Sequence, residues 1–410
     1  MLNPTSSLID QIDLATIMKV ASDLISFRTE SEKGTDFERA TNYLSRIFEK
    51  LDFEVKTLGS DKRPTLVGTK KTAQTGTNIF LNGHYDVVPA GDLAAWDNDP
   101  FTPVFENGRL YGRGAADMKG GLAVICEVAR ILNSEDALFQ GNLFVTVTPD
   151  EEIGSKNGAA LLMKSQILPR GKDCYGLMPE CSGLDTIWHA SKGTLWYEVR
   201  IWGKQAHSTL PSEGVNAFEK MCELVNTKLS PLRVIVEKRK SKLDGEFPDS
   251  PYAVMNVGGY SHGATSINTI PGSAIFSIDR RLIPEERVSE AREEIENALE
   301  GYAIESGTPV EAELLLKAGP CFVDEQTQLC QVLVKSAETF LSRPPRFALC
   351  LGHLDIRFFN AYGIPMVAYG PGGLAVAHAP NEFIEVNHLV DLVKIYLLTC
   401  LTLTNNNKEE

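Results

Sequence analysis

Seven side chains able to bind metal or move protons stand where strand-like runs give way to loops. His84 ends NIFLNGH, and Asp86 follows with one residue between them. Glu151 and Glu152 are adjacent in TVTPDEEIGS, Glu180 closes CYGLMPE, Asp117 lies in the glycine-rich LYGRGAADMKGG and His378 in YGPGGLAVAHAPNE. Taken singly, each has an ordinary use: Asp117 caps a helix, the glutamates face water, and a lone histidine packs. Jointly, two imidazoles and at least three carboxylates at successive strand ends point to one rim, because ligands of open α/β sheets gather beyond the carboxyl ends of strands. Mixed imidazole and carboxylate ligation suits Zn²⁺, Mn²⁺ or Co²⁺ and not an all-thiolate structural site. The segment GRGAAD also suggests a nucleotide-binding loop, but it lacks the third glycine and follows no convincing strand.

The elements that must position these groups fall into three stretches. Residues 1–191 alternate helical spacing, from about Leu14 to Ile25 and Asp36 to Leu51, with β-branched and aromatic runs such as FEVKTLG, TLVGTK, NIFLNGH and NLFVTVTP. That alternation predicts an α/β domain with a sheet that is parallel at its centre. Residues 192–318 follow a different pattern. TLWYEVRIWG, YAVMNVGGY, SAIFSIDRRL and PVEAELLLK alternate as strands buried on one face, with helices at VNAFEKMCELVNTKL and ERVSEAREEIENALEGY. Residues 319–410 return to the first pattern, so an α+β unit is inserted into an α/β domain.

Bulk composition narrows the partners. Lys and Arg number 40 against 54 Asp and Glu, a net charge of −14, which repels nucleic acid and anionic membrane. Small-molecule or protein partners are the expectation. No uninterrupted apolar run approaches the roughly 18–20 residues of a membrane span, and the N-terminus carries acids where a secretory signal is basic and then apolar. A cytoplasmic location is expected on that basis. The eight cysteines form no CxxC pair, which reads as reduced, packing thiols.

The sequence closely resembles the dinuclear metallohydrolases that include acetylornithine deacetylase, succinyl-diaminopimelate desuccinylase, aminoacylase and glutamate carboxypeptidase. The resemblance runs in order from GHYDVVPAG and WDNDPFTP through GRLYGRGAADMKGG, PDEEIGS, PECSG, GKQAHSTLPSEGVNA and INTIPGSAIFSIDRRL to GHLDIRFF and AHAPNEFI, nearly the whole chain. It implies a phosphorylase/hydrolase-like zinc-exopeptidase catalytic domain with an inserted, ferredoxin-like α+β domain that serves as dimerisation surface and lid. It also implies two Zn²⁺ per subunit, with Co²⁺ or Mn²⁺ as alternatives. His84, Asp117 and Glu180 would hold one ion, Asp117 would bridge, and Glu152 and His378 would complete the second site. Glu151 would be the general base, and Asp86 the partner that orients the His84 ring.

In similar proteins the histidine matching His207 reaches across a dimer interface to the tetrahedral oxyanion, and residues matching Asn268 and Arg281 contact the substrate carboxylate. A homodimer through the inserted domain is therefore expected. Glu180 matches the deacylases and carboxypeptidases, whereas the family's dipeptidases tend to have Asp there. Hydrolysis of the amide bond of an N-acyl amino acid is thus the leading expectation; a carboxypeptidase or dipeptidase is the alternative. An inactive metabolite-binding relative ranks last, since all five ligands and Glu151 are present. Two departures leave the acyl group open. Desuccinylases show Arg-Arg-Gly and Gly-Thr-Ser-Asp where this chain has Ser191, Lys192, Gly193 and Gly352, His353, Leu354, Asp355. Gly352 and His353 are candidate substrate contacts.

Overall fold

The structure is a computed structural model and describes residues 8–72, 76–134, 139–264 and 266–405. The first seven residues, on which the N-terminal reading partly rests, lie outside them. The chain divides into two compact units: residues 1–189, 323–347 and 354–410 form the first, and residues 190–322 and 348–353 the second.

In the first unit, β1 (Glu54–Ser60), β2 (Arg63–Lys70), β3 (Asn78–His84), β4 (Asn142–Thr148), β5 (Cys174–Met178) and β6 (Thr186–Ser191) lie in one sheet. Their spatial order is β1-β2-β4-β3-β5, then the short return strand Met366–Ala368, then β6. The centre is parallel: β3 runs with β4 and β5, and Met366–Ala368 runs with β5, whereas β1, β2 and β6 pair antiparallel. Strands covered on both faces need near-continuous apolar runs, and β3 and β4 are buried from their second residue onward. Helices α1 (Leu14–Ser26), α2 (Phe37–Lys50) and α3 (Gly120–Ser134) cover the sheet, α1 starting where Asp13 accepts from the N–H groups of Ala15 and Thr16.

The last helix, Val386–Asn405, is long and apolar enough by composition to cross a membrane. Here it is a core helix: Leu389, Leu392, Val393, Tyr396 and Cys400 are fully buried in the main hydrophobic cluster. Asp391 and Lys394 interrupt its apolar run and pair with each other.

The second unit is an antiparallel sheet of β7 (Gly193–Trp202), β8 (Val254–His262), β9 (Ser273–Leu282) and β10 (Val310–Ala318) in the order β8-β9-β7-β10. Strict alternation along β9 sends Phe276 and Ile278 to one face, where Tyr197 and Val199 of β7 join them. Met221 and Leu224 of α4 (Ala217–Leu224), with Ile295, Leu299 and Tyr302 of α5 (Val288–Ser306), close that face. The expected insertion at 192–318 sits just inside this unit's limits. Residues 348–353, expected in the catalytic domain, cluster with the second unit, where Leu349 N–H donates to Asp244 O at 2.8 Å and Lys192 N–H to Cys350 O at 3.2 Å, although the strand Arg346–Cys350 also pairs with β6 in the first sheet.

Candidate metal centre

Parallel strand ends bring the candidate ligands together within the first unit. His84 is the last residue of β3, Glu151 and Glu152 open the turn after β4, and Glu180 stands two residues beyond β5. Two glycines allow the close approach that places Glu180. A Cβ on Gly121, at the start of α3, would lie 2.2 Å from Pro179 O, and one on Gly370 would lie 1.8 Å from Glu180 O. Any side chain at either position would push the Asp117 or His378 loop away from Glu180.

Asp117 spans the cluster. His84 Nε2 lies 3.0 Å from Asp117 Oδ1 and 3.4 Å from Glu180 Oε1, while His378 Nε2 lies 3.3 Å from both Asp117 Oδ2 and Glu152 Oε2. Two sets of ligand atoms thus share one carboxylate. Glu151 Oε1, Glu152 Oε1 and Glu180 Oε1 are sealed from solvent without a hydrogen-bond partner. Buried carboxylate oxygens left unpaired are costly, and a cation among them removes that cost. The donor chemistry and these orphaned oxygens fit divalent metal ions.

Proton affinities carry the same signature. Burial, with the neighbouring Asp355, Glu180 and Glu152 charges, pushes the Glu151 carboxyl well above the usual range. Burial and then the Asp117 charge push Glu180 up to about 7, and burial raises Glu152 as well. Asp117 goes the other way, because His378 and His84 together overrule its burial. His378 is raised to about 11, first by Asp117 and then by Glu152. With protons alone to balance the carboxylates, the imidazoles hold positive charge where ions would sit.

The supports of this cluster are mostly buried charges. His84 Nδ1 lies 2.9 Å from the backbone oxygen of Asp86 and 3.4 Å from its carboxylate. A donated Nδ1–H leaves Nε2 for a metal. Asp86 thus meets the ring through both its carboxylate, as expected, and its carbonyl, which makes the shorter contact. The carboxylate accepts from the N–H groups of Glu151, at 3.1 Å, and Glu152, at 3.3 Å.

Sequence reasoning gave no role to four residues. Glu382 accepts from the N–H groups of Ala116 and Asp117 and pairs with Arg113, which also donates to His378 O at 3.2 Å. Asp355 accepts from Thr148 Oγ1 at 3.0 Å and from Ser155 Oγ, the two ends of the turn that carries Glu151. Cys181 Sγ lies 3.6 Å from Asp117 Oδ2. Each lay inside a motif already quoted, but only the three-dimensional contact assigns it.

The remaining candidates belong to the second unit. His207 is exposed on the two-residue strand Ala206–His207, opposite Thr269, and Ser208 N–H donates to Asn268 O, so His207 and Asn268 share one corner. Arg281 pairs with Asp279 at 2.8 Å, donates to Thr194 Oγ1 at 3.1 Å and stacks its guanidinium 5.6 Å from the Trp196 ring. His353 meets the same two neighbours, with Nδ1 3.4 Å from Thr194 Oγ1 and its ring edge-on to Trp196. Gly352 faces open space.

Comparison with known proteins supplies the family. Residues 80–402 match the model of Peptidase family M20/M25/M40. The chain belongs to that family. It is a metallohydrolase of amide bonds. The chain is 28% identical over 335 residues to a succinyl-diaminopimelate desuccinylase from Polynucleobacter necessarius, covering 80% of this chain and 83% of the relative. Among solved structures it superposes on an M20 family metallo-carboxypeptidase from Sulfolobus solfataricus with a TM-score of 0.80 and 20% identity, over 96% of this chain and 100% of the other. It also superposes on a dinuclear metal binding peptidase of the same family from Bacillus subtilis, with a TM-score of 0.69 and 18% identity over 95% and 98%.

Proposed function

We propose that this enzyme releases the acyl group of an N-acyl amino acid, using two divalent ions held by His84, Asp117, Glu152, Glu180 and His378. Zinc is the first choice for both ions, with cobalt or manganese as alternatives. The observation that carries the reading is the sharing of Asp117, one oxygen towards His84 and Glu180 and the other towards His378 and Glu152. When bound, such a pair of ions acidifies a shared water and polarises the scissile carbonyl.

The chain's own groups supply the rest. Glu151, whose proton affinity is raised by burial, accepts the proton of the attacking water and delivers it to the leaving amine nitrogen as the C–N bond breaks. Asp86 fixes the backbone of Glu151 and Glu152, so the two adjacent carboxylates keep different tasks. In this reading His207 donates to the oxyanion, and Asn268 with Arg281 holds the substrate carboxylate, a task that suits a planar guanidinium. A homodimer through the second unit brings His207 to a partner's site. Exposed Phe218, Val234, Ile235 and the open edge of β8 support such a surface. Glu180 speaks against a dipeptidase, and the 28% identity to a desuccinylase favours the deacylase over the carboxypeptidase.

Chelator-stripped enzyme, assayed before and after Zn²⁺, Co²⁺ or Mn²⁺ is restored, tests this on N-acetyl, N-succinyl and N-formyl amino acids beside dipeptides. Metal-dependent turnover of one acyl class is expected. Turnover of dipeptides alone would overturn the deacylase reading, and equal turnover by stripped enzyme would overturn the metal reading.

A further inference from the structure

We propose that Asp279 is the positioning residue that aims Arg281, so that the guanidinium meets the substrate carboxylate through one edge only. The inference rests on the substrate-binding role given to Arg281 above. Its local cause is the period of β9. Asp279 and Arg281 point to one face of the sheet, and Arg280 points to the other, where it is fully buried and pairs with Glu286. Across the strand pair, Asp279 stands opposite Trp196 and Arg281 opposite Thr194. These four side chains therefore meet on the face away from α4 and α5.

Three of the guanidinium's five N–H groups are engaged there: Arg281 Nε lies 2.8 Å from Asp279 Oδ1, Nη2 donates to Asp279 Oδ2 at 3.1 Å, and Nη1 donates to Thr194 Oγ1 at 3.1 Å. With Asp279 on the Nε–Nη2 edge, one N–H of each Nη remains. That end of the fork takes a second carboxylate in two parallel bonds. Asp279 is itself held in place, because Trp196 Nε1 donates to its Oδ1 at 2.9 Å while the Trp196 ring lies 5.6 Å from the guanidinium carbon. Asp279 also offsets the charge of Arg281, which works against binding an anion. The two side chains are 34% and 22% exposed, so water screens that loss and the fixed aim outweighs it.

The test is steady-state kinetics of the metal-loaded full chain on the best substrate of the acyl panel and on its C-terminal carboxamide, with urea unfolding of each variant. Asp279→Asn keeps the side-chain shape and an acceptor for Trp196 but loses the paired oxygens. It should raise KM about tenfold on the carboxylate substrate with kcat changed less than about twofold, and lower the preference for carboxylate over carboxamide by the same factor. Arg281→Lys lacks the fork and should show the same pattern. The double variant should be no worse than Arg281→Lys, because Asp279 acts through Arg281. Single-variant effects that multiply, an Asp279→Asn enzyme with wild-type KM, or a lowered urea midpoint with kcat and KM both impaired, overturns the positioning role of Asp279 alone. An unchanged KM in Arg281→Lys, or a wild type that turns over carboxylate and carboxamide equally, overturns the reading of Arg281 itself.

Discussion

Arg113 and Glu382 form an ion pair of 2.6 Å whose side chains are 2% and 1% exposed. Through it the Asp117 backbone and the His378 carbonyl are tied to one charge pair. Removing one partner strands the other, so Glu382→Gln should cost about 3–5 kcal/mol of stability. Replacing both by apolar residues, as in Arg113→Met with Glu382→Leu, should recover part of that loss. Urea unfolding of these variants beside wild type reads this out, and a Glu382→Gln midpoint equal to wild type would contradict it.

Asp355 holds both ends of the turn that carries Glu151, through Thr148 and Ser155. It is neither ligand nor base, so it acts by holding that turn and by the charge it sets near Glu151. Asp355→Ala should lower kcat about 10²-fold, the scale of a misplaced catalytic group, with KM and bound metal little changed. A loss confined to KM, or metal lost in proportion to activity, would show that its role lies elsewhere.

How far the sequence reveals the molecule depends on the kind of contact. The β3 and β4 runs were legible because a parallel strand buried on both faces must be apolar, and His84 and Glu151 were legible because they follow those runs. Helix α4 was expected to be one element, and it instead continues through the wider turn Val225–Leu229 into Ser230–Val236. Glu382 and Asp355 were not legible, since their partners Ala116 and Thr148 lie 266 and 207 residues away. The placement of residues 348–353 rests on backbone hydrogen bonds, which leave no side-chain pattern to read.

Metal uptake should release protons. Asp117 and Glu152 raise His378 to about 11, so at neutral pH its ring is protonated and a metal must displace that proton. Affinity should therefore tighten as pH rises from about 6 to 8, and calorimetry in buffers of different ionisation enthalpy should count released protons. Binding independent of pH would contradict the assignment of His378.

Lys192 gives a separate pH test in the second unit. Burial, then the Arg281 charge, lowers its ammonium to about 8 from the ordinary 10.5, while Nζ donates to Tyr252 O at 2.7 Å. Below about pH 8 both folded and unfolded chains carry the proton, and the folded state bears the full penalty. Between 8 and 10.5 the unfolded chain binds more protons, so stability rises with pH. Lys192→Met should thus be most stable relative to wild type near neutral pH, and that difference should shrink towards pH 10.5. Parallel stability curves for the two proteins would refute the shift.

Metal-dependent amide hydrolysis with Glu151 as the base is reached most directly by one comparison. It is kcat of metal-reconstituted wild type and Glu151→Gln on the best substrate of the acyl panel, with bound metal counted in both. A loss of about 10²–10⁴-fold in kcat is predicted, with the metal content unchanged. A variant that keeps wild-type turnover with its metals in place would contradict Glu151 as the base.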